Sequence, residues 1–199
     1  MGHAKRDTLL HTYADYLGWP EEIRYELIDG VAFHLGPAPT RRHQDVVGEV
    51  YFQTRTALEG KPCRAYVSPF DVRLPKGNEA DAFVDTVVQP DVLVVCDPRK
   101  LDARGMRGAP DWVVEVLSPA SSGYDQTLKL AAYERAGVPE VWLVHPIDRI
   151  VTVYLLHEGR YGRPRIHELL GELAVGVLPD IVIDWSRLPP EEEPATGDS

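Results

Sequence analysis

The run 110–133, PDWVVEVLSPASSGYDQTLKLAAY, places the tightest constraint on how this chain folds. Its first half has the unbroken apolar character of a strand buried on both faces. It nevertheless carries one ionisable residue, Glu115, among Trp112, Val113, Val114, Val116 and Leu117. Stripping water from an unpaired carboxylate costs several kcal/mol or forces it to take up a proton. Such a strand needs a metal ion, a cation or a proton beside Glu115. The second half predicts a helix starting near Ser121 or Ser122, with Asp125 and Lys129 one turn apart on the same face. The run thus pairs a buried acid with a helix able to bring an ammonium to it.

The remaining chain sets the frame. Its 199 residues, 44% apolar and 26% charged, suit one soluble globular domain with a sizeable core. We expect that domain over 1–187, followed by a disordered acidic tail over 188–199. No apolar run approaches the roughly 18 residues of a membrane span, and the start lacks the apolar stretch of a signal peptide. The expectation is a cytoplasmic protein with no membrane partner. Cys63 and Cys96 are too few and too far apart to announce a disulfide framework or a zinc site, and both are expected reduced, on strands. The formal net charge of -10 argues against a general nucleic-acid binder, because polyanions are held by Lys and Arg. Four of those ten charges fall in the tail, and acids gathered around a metal would be offset by it. Basic clusters at Arg41–Arg42 and at Arg99, Lys100, Arg104 and Arg107 read equally well as solvated loop surface.

In chain order, 7–17 predicts a short helix with Leu9, Leu10, Tyr13 and Leu17 on its apolar side. Residues 25–33 predict two strands turning at Asp29-Gly30. Thr40 is placed to cap a helix over about 42–59 that lies across the sheet. Strand-like pieces follow on either side of Ser68-Pro69, then one strand over 87–96, entered through Pro90-Asp91. The stretch 97–108 reads as a basic loop. Gly137 caps the second long helix, and 140–145 and 150–156 form a hairpin. The end, 168–185, is mixed. This order predicts an α/β fold of the mixed α+β kind, a mixed central sheet flanked by helices.

Asp91 opens one buried strand and Glu115 lies inside the next. Adjacent strands run about 4.8 Å apart, so the two carboxylates flank one site if those strands pair. Two oxygen donors with open positions suit Mg²⁺ better than zinc. Such a metal polarises a phosphoryl oxygen while a nearby ammonium, Lys129, orients water or stabilises charge. Glu26, beside the Asp29-Gly30 turn, offers a third acid. Plainer roles stand beside these. Asp91 suits a local backbone bond, Glu115 and Lys129 a structural ion pair, and Glu26 an edge strand. His43, near the start of a helix, is placed either to line the site or, as the plainer reading, to take a surface or partly buried position, and Tyr133 suits the core.

The blocks YELIDG, TVVQPDVLVVCDP, APDWVVEVLSP, DQTLKLAAY and AGVPEVWLVHP, in this order over 25–156, resemble the Uma-two family, classed with restriction endonucleases of the PD-(D/E)XK nuclease superfamily. The resemblance implies a restriction-endonuclease-like fold and an endonuclease hydrolysing phosphodiester bonds with Mg²⁺, or Mn²⁺ in its place. Asp91 would match the motif's Asp and Glu115 its Asp/Glu, these two holding the metal. Leu117 stands where the superfamily's lysine is expected, and Lys129 on the next helix takes that role. Glu26 would match an early acid and Asp125 a helix acid. The implied partners are nucleic acid, DNA above all, and a second copy in a homodimer. The rival reading is an inactive nuclease-fold module acting in binding or assembly, favoured by the acidic balance and the missing in-strand lysine.

Overall fold

The computed structural model describes residues 9–20, 23–36, 38–118 and 123–190, with backbone alone for 123–126. In chain order these form α1 (Tyr13–Tyr16), β1 (Tyr25–Ile28), β2 (Val31–His34), α2 (Arg41–Ala57), β3 (Arg64–Val67) and β4 (Val72–Arg73). Next come β5 (Val87–Val88), β6 (Val92–Val95), β7 (Leu101–Asp102), β8 (Gly105–Arg107), β9 (Trp112–Val116) and α3 (Gly123–Ala136). The chain continues through β10 (Glu140–His145), β11 (Ile150–His157), β12 (Arg160–Tyr161), β13 (Arg165–Glu168), β14 (Glu172–Ala174) and β15 (Val182–Asp184).

The central sheet has the order β12-β11-β10-β9-β6-β3, with β13 also on β11. It is mixed, because β9 and β10 run parallel, joined through α3, while its other neighbours are antiparallel. Helix α2 covers one face, where Val46, Val47 and Val50 meet Val92, Val94, Trp112, Val114 and Trp142. The other face, bearing Leu93, Val113 and Leu143, meets Ala132 and Tyr133 of α3. It also meets a second sheet of six strands, ordered β2-β1-β5-β4-β8-β7. Three valines and a tryptophan of β9 are fully or almost fully buried. At roughly 1.5–3 kcal/mol each they outweigh the cost of the one carboxylate in that strand.

Local signals explain much of this. The β1–β2 turn has Asp29 at φ 51° and Gly30 at φ 78°, the left-handed pair that a tight hairpin requires. The Thr40 hydroxyl accepts from the His43 amide and starts α2. Gly137, at φ 85°, ends α3.

Several expectations are corrected. The first helix spans only Tyr13–Tyr16, and of its expected apolar side Tyr13 alone is buried. Leu9, Leu10 and Leu17 face solvent. The single strand expected over 87–96 is two, because buried Pro90 has no N–H to donate to a ladder and the chain changes sheet there. The expected loop 97–108 contains the β7–β8 hairpin, too short to show a period. The cysteines are not reduced: Cys63 and Cys96 form a disulfide. Antiparallel pairing sets Arg64 against Val95, so the next residues outward stand opposite each other across 33 positions of sequence. The expected helix start at Ser121 or Ser122 and the tail over 191–199 lie outside the described residues. Leu188, expected in the tail, packs on the core. No helix among the described residues is long and apolar enough to cross a membrane.

Candidate active site

The segment that changes sheets builds the site. β6 and β9 pair with Val92 opposite Val114 and Leu93 opposite Val113. One step further along that register, Asp91 stands across from Glu115. Glu115 lies on the face shared with Val113, toward α3 and the second sheet. From the second sheet, β1 brings Glu26, 4% exposed, whose Oε1 accepts from the Gln89 backbone amide at 2.8 Å. Gln89 immediately precedes Pro90-Asp91, so one tripeptide anchors one acid and supplies another.

Helix α3 completes the arrangement. Lys129 Nζ lies 2.6 Å from Glu115 Oε1 and 2.9 Å from Glu26 Oε1. One turn later, the Tyr133 hydroxyl donates to the same Glu115 oxygen at 2.5 Å. Lys129 and Tyr133 are four apart on a helix, which is why both reach one carboxylate. Asp91 is held differently: its Oδ2 accepts from the Val116 amide at 2.8 Å and lies 3.3 Å from Nε2 of His43, at the start of α2.

Burial and charge decide the protonation states. Burial pushes the Glu115 carboxyl up to about 7. The Lys129 ammonium opposes the rise, and the nearby Asp91 and Glu26 carboxylates add to it. Burial acts to lower the Lys129 pKa, but Glu115 and Glu26 overcome it and hold the group above the ordinary lysine value. Lys129 is therefore a fixed ammonium, unable to serve as a base near neutral pH. Burial, then Glu115, push the Tyr133 phenol well above its usual range, so it remains a donor.

Two carboxylates thus hold one ammonium, with a third, Asp91, across the strand pair from Glu115 and paired with the His43 imidazole. A divalent cation would relieve that excess of negative charge. Among the described residues no group of three or more His, Cys, Asp or Glu side chains is gathered to enclose a metal. Asp91 and Glu115 are oxygen donors, the ligand class that Mg²⁺ takes, usually alongside several waters.

Glu26, Lys129 and Glu115 therefore meet in direct contact, and Asp91 stands across the strand pair from Glu115. Asp125 lies in the first turn of α3, and its side chain falls outside the described residues. His43, for which lining the site is one of two readings from sequence, touches Asp91, and Tyr133, read as core, touches Glu115. The spacing Lys129–Tyr133 was a usable signal for the second. Nothing near His43 in sequence points to Asp91, 48 positions away.

The fold is restriction-endonuclease-like. The chain belongs to the Uma2 family, whose model, described as "Putative restriction endonuclease", matches residues 13–186. Among solved structures, it is similar to a "putative nuclease belonging to DUF820" from Anabaena variabilis ATCC 29413. The TM-score is 0.70 at 21% identity, over 89% of this chain and 96% of the other. Among curated proteins, it is similar to the uncharacterized protein slr1290 of Synechocystis sp., 28% identical over 121 residues. That match spans 60% of each chain, less than two thirds of the relative's length.

Proposed function

We propose that this chain is a metal-dependent endonuclease that hydrolyses phosphodiester bonds, with DNA as the substrate. The observation that carries the reading is the meeting of Lys129 with Glu115 and Glu26, beside the cross-strand position of Asp91. In this reading Asp91 and Glu115 hold Mg²⁺, or Mn²⁺ in its place. Bound there, the ion supplies Lewis-acid polarisation of the phosphate and lowers the pKa of a bound water. Lys129, clamped by two carboxylates, presents a permanent positive charge to the phosphate as negative charge builds on it. Glu26 fixes the ammonium. Tyr133 holds the Glu115 carboxylate in one rotamer, and the Val116 amide with His43 does the same for Asp91. Asp125 is assigned a supporting role toward Lys129 by its place one turn earlier on α3.

The test is cleavage of single- and double-stranded DNA and RNA with Mg²⁺, Mn²⁺ or EDTA, repeated with Glu115→Ala and Lys129→Ala. Metal-dependent cutting lost in both folded variants is the expected result. Activity surviving in either variant or in EDTA would overturn the assignment. A second reading, an inactive nuclease-fold module, is favoured by the closed ion pairing of Lys129 with both glutamates. It predicts no cutting and no Asp91-dependent Mn²⁺ uptake by titration calorimetry. A homodimer would present two such sites to opposite strands of a duplex, and sedimentation velocity measures that association.

A further inference from the structure

We propose that the edge of the central sheet beside α2 is a nucleic-acid-binding surface, in which Arg55 and Arg64 hold backbone phosphates and Tyr51 and Tyr66 offer ring surface to bases. The proposal deepens the nuclease reading, since it names where the substrate strand lies. An open cleft of about 490 Å³ is lined by Tyr51 and Arg55 of α2 and by Arg64, Ala65 and Tyr66 of β3. β3 is the last strand on that side of the sheet, so nothing of the sheet covers it.

Charge marks this cleft; exposed Arg160, Arg163 and Arg165 are also without a side-chain partner among the described residues, and what sets Arg55 and Arg64 apart is the cleft they share with two tyrosines. In a chain of net charge -10, many cations are taken up by acids. Arg73 meets Asp81 and Asp102, Arg107 meets Asp81, and Lys76 meets Asp29 and Asp85. Exposed Arg99, from a basic cluster visible in the sequence, is held by Asp97. Arg55 and Arg64 are exposed, and among the described residues neither guanidinium has an ion pair or hydrogen bond. Arg55 lies in the last turn of α2, where the helix dipole favours a cation. Arg64 has no such reason, yet it lines the same cleft. On an otherwise acidic surface, unpaired cations decide where a polyanion approaches. Arginines interleaved with aromatic rings are also how nucleic-acid strands are held without sequence preference.

The register ties the cleft to the acids. Tyr66 stands opposite Leu93, and the Ser68 amide donates to the Asp91 carbonyl. Tyr66 packs with Leu93 and Val113, on the sheet face that carries Glu115. At about 3.3 Å per residue and 4.8 Å between strands, Tyr66 lies roughly 8 Å from Asp91 and Arg64 roughly 14 Å from it, Cα to Cα. A strand that leaves the cleft over the β3 edge on the Tyr66 side would reach the level of Asp91 within a few nucleotides.

The test is fluorescence anisotropy of labelled single- and double-stranded oligonucleotides in EDTA, titrated across a salt series. Arg55→Ala and Arg64→Ala should each reduce the slope of log K against log salt by about 1, and the double variant by about 2. Arg55→Lys with Arg64→Lys should keep the slope, and melting curves confirm that the variants fold. An unchanged slope in the double variant, or no binding by the native chain at low salt, overturns the proposal. So does loss of self-association in the double variant with affinity unaltered, which would make the cleft an interface between copies. Because EDTA removes cleavage from the measurement, failure of the nuclease reading leaves this result standing. Cleavage that depends on Glu115 but ignores both arginines would instead sink the cleft alone.

Discussion

At Glu115, a carboxyl raised from 4.5 to about 7 titrates near neutral pH. Its raised pKa means the folded state holds this proton more tightly than the unfolded chain, so the protonated form dominates below about 7. A cation needs the ionised form. Mn²⁺ affinity should therefore weaken about fivefold between pH 7 and pH 6 and level off above pH 8, measured by calorimetry. Glu115→Gln should remove that dependence along with most of the affinity. Lys129 tests the same cluster from the other side. Lys129→Met leaves Glu26 and Glu115 facing each other without a cation, and loss of one partner of a buried pair costs about 3–5 kcal/mol. The loss in urea melts should be largest near pH 8. It should shrink toward pH 5, where Glu115 is protonated and repels nothing.

Among the elements, β3 and β6 carry the clearest consequence of register. The Cys63–Cys96 bridge closes a separation of 33 residues, which in the loop-entropy account stabilises by up to about 4 kcal/mol. Reduction, or Cys63→Ser with Cys96→Ser, should lower the urea midpoint accordingly, and alkylation followed by mass spectrometry reads the thiol state directly. The β7–β8 hairpin has its own sensitive point. Gly105 sits at φ 127°, and a Cβ there would lie 2.3 Å from the Asp71 carbonyl oxygen. Gly105→Ala should cost about 2–3 kcal/mol, seen in thermal melts. Elements with strong local chemistry were legible in the sequence: the Asp29-Gly30 turn, the Thr40 cap, the valine-rich β9 and the Gly137 stop. Elements whose existence depends on distant partners were not. β7 and β8 are two or three residues each and become strands only because they pair with a neighbour. The candidate site divides in the same way. Asp91, Glu115 and Lys129 announced themselves by costly charge near apolar runs, whereas His43 joined them only through tertiary packing of α2.

For the molecule as a whole, binding and stability are linked. A cation held by Asp91 and Glu115 of the folded chain alone should raise stability by about 2.7 kcal/mol at a hundredfold excess over Kd. The melting temperature should thus climb with Mn²⁺ in the native chain and stay flat in Asp91→Asn. Glu26 and Asp91 come from different sheets, joined by Gln89-Pro90-Asp91, while α3 reaches both. If the six-stranded layer were to lift away, Glu26 would leave the ammonium and Asp91 would lose its fixed neighbour, yet the tryptophan-rich side under α2 would persist. Chemical competence would then vanish at a milder perturbation than the one that melts the chain. Amide exchange at Gln89 should accordingly track loss of activity in low urea, well before exchange at Val114 begins.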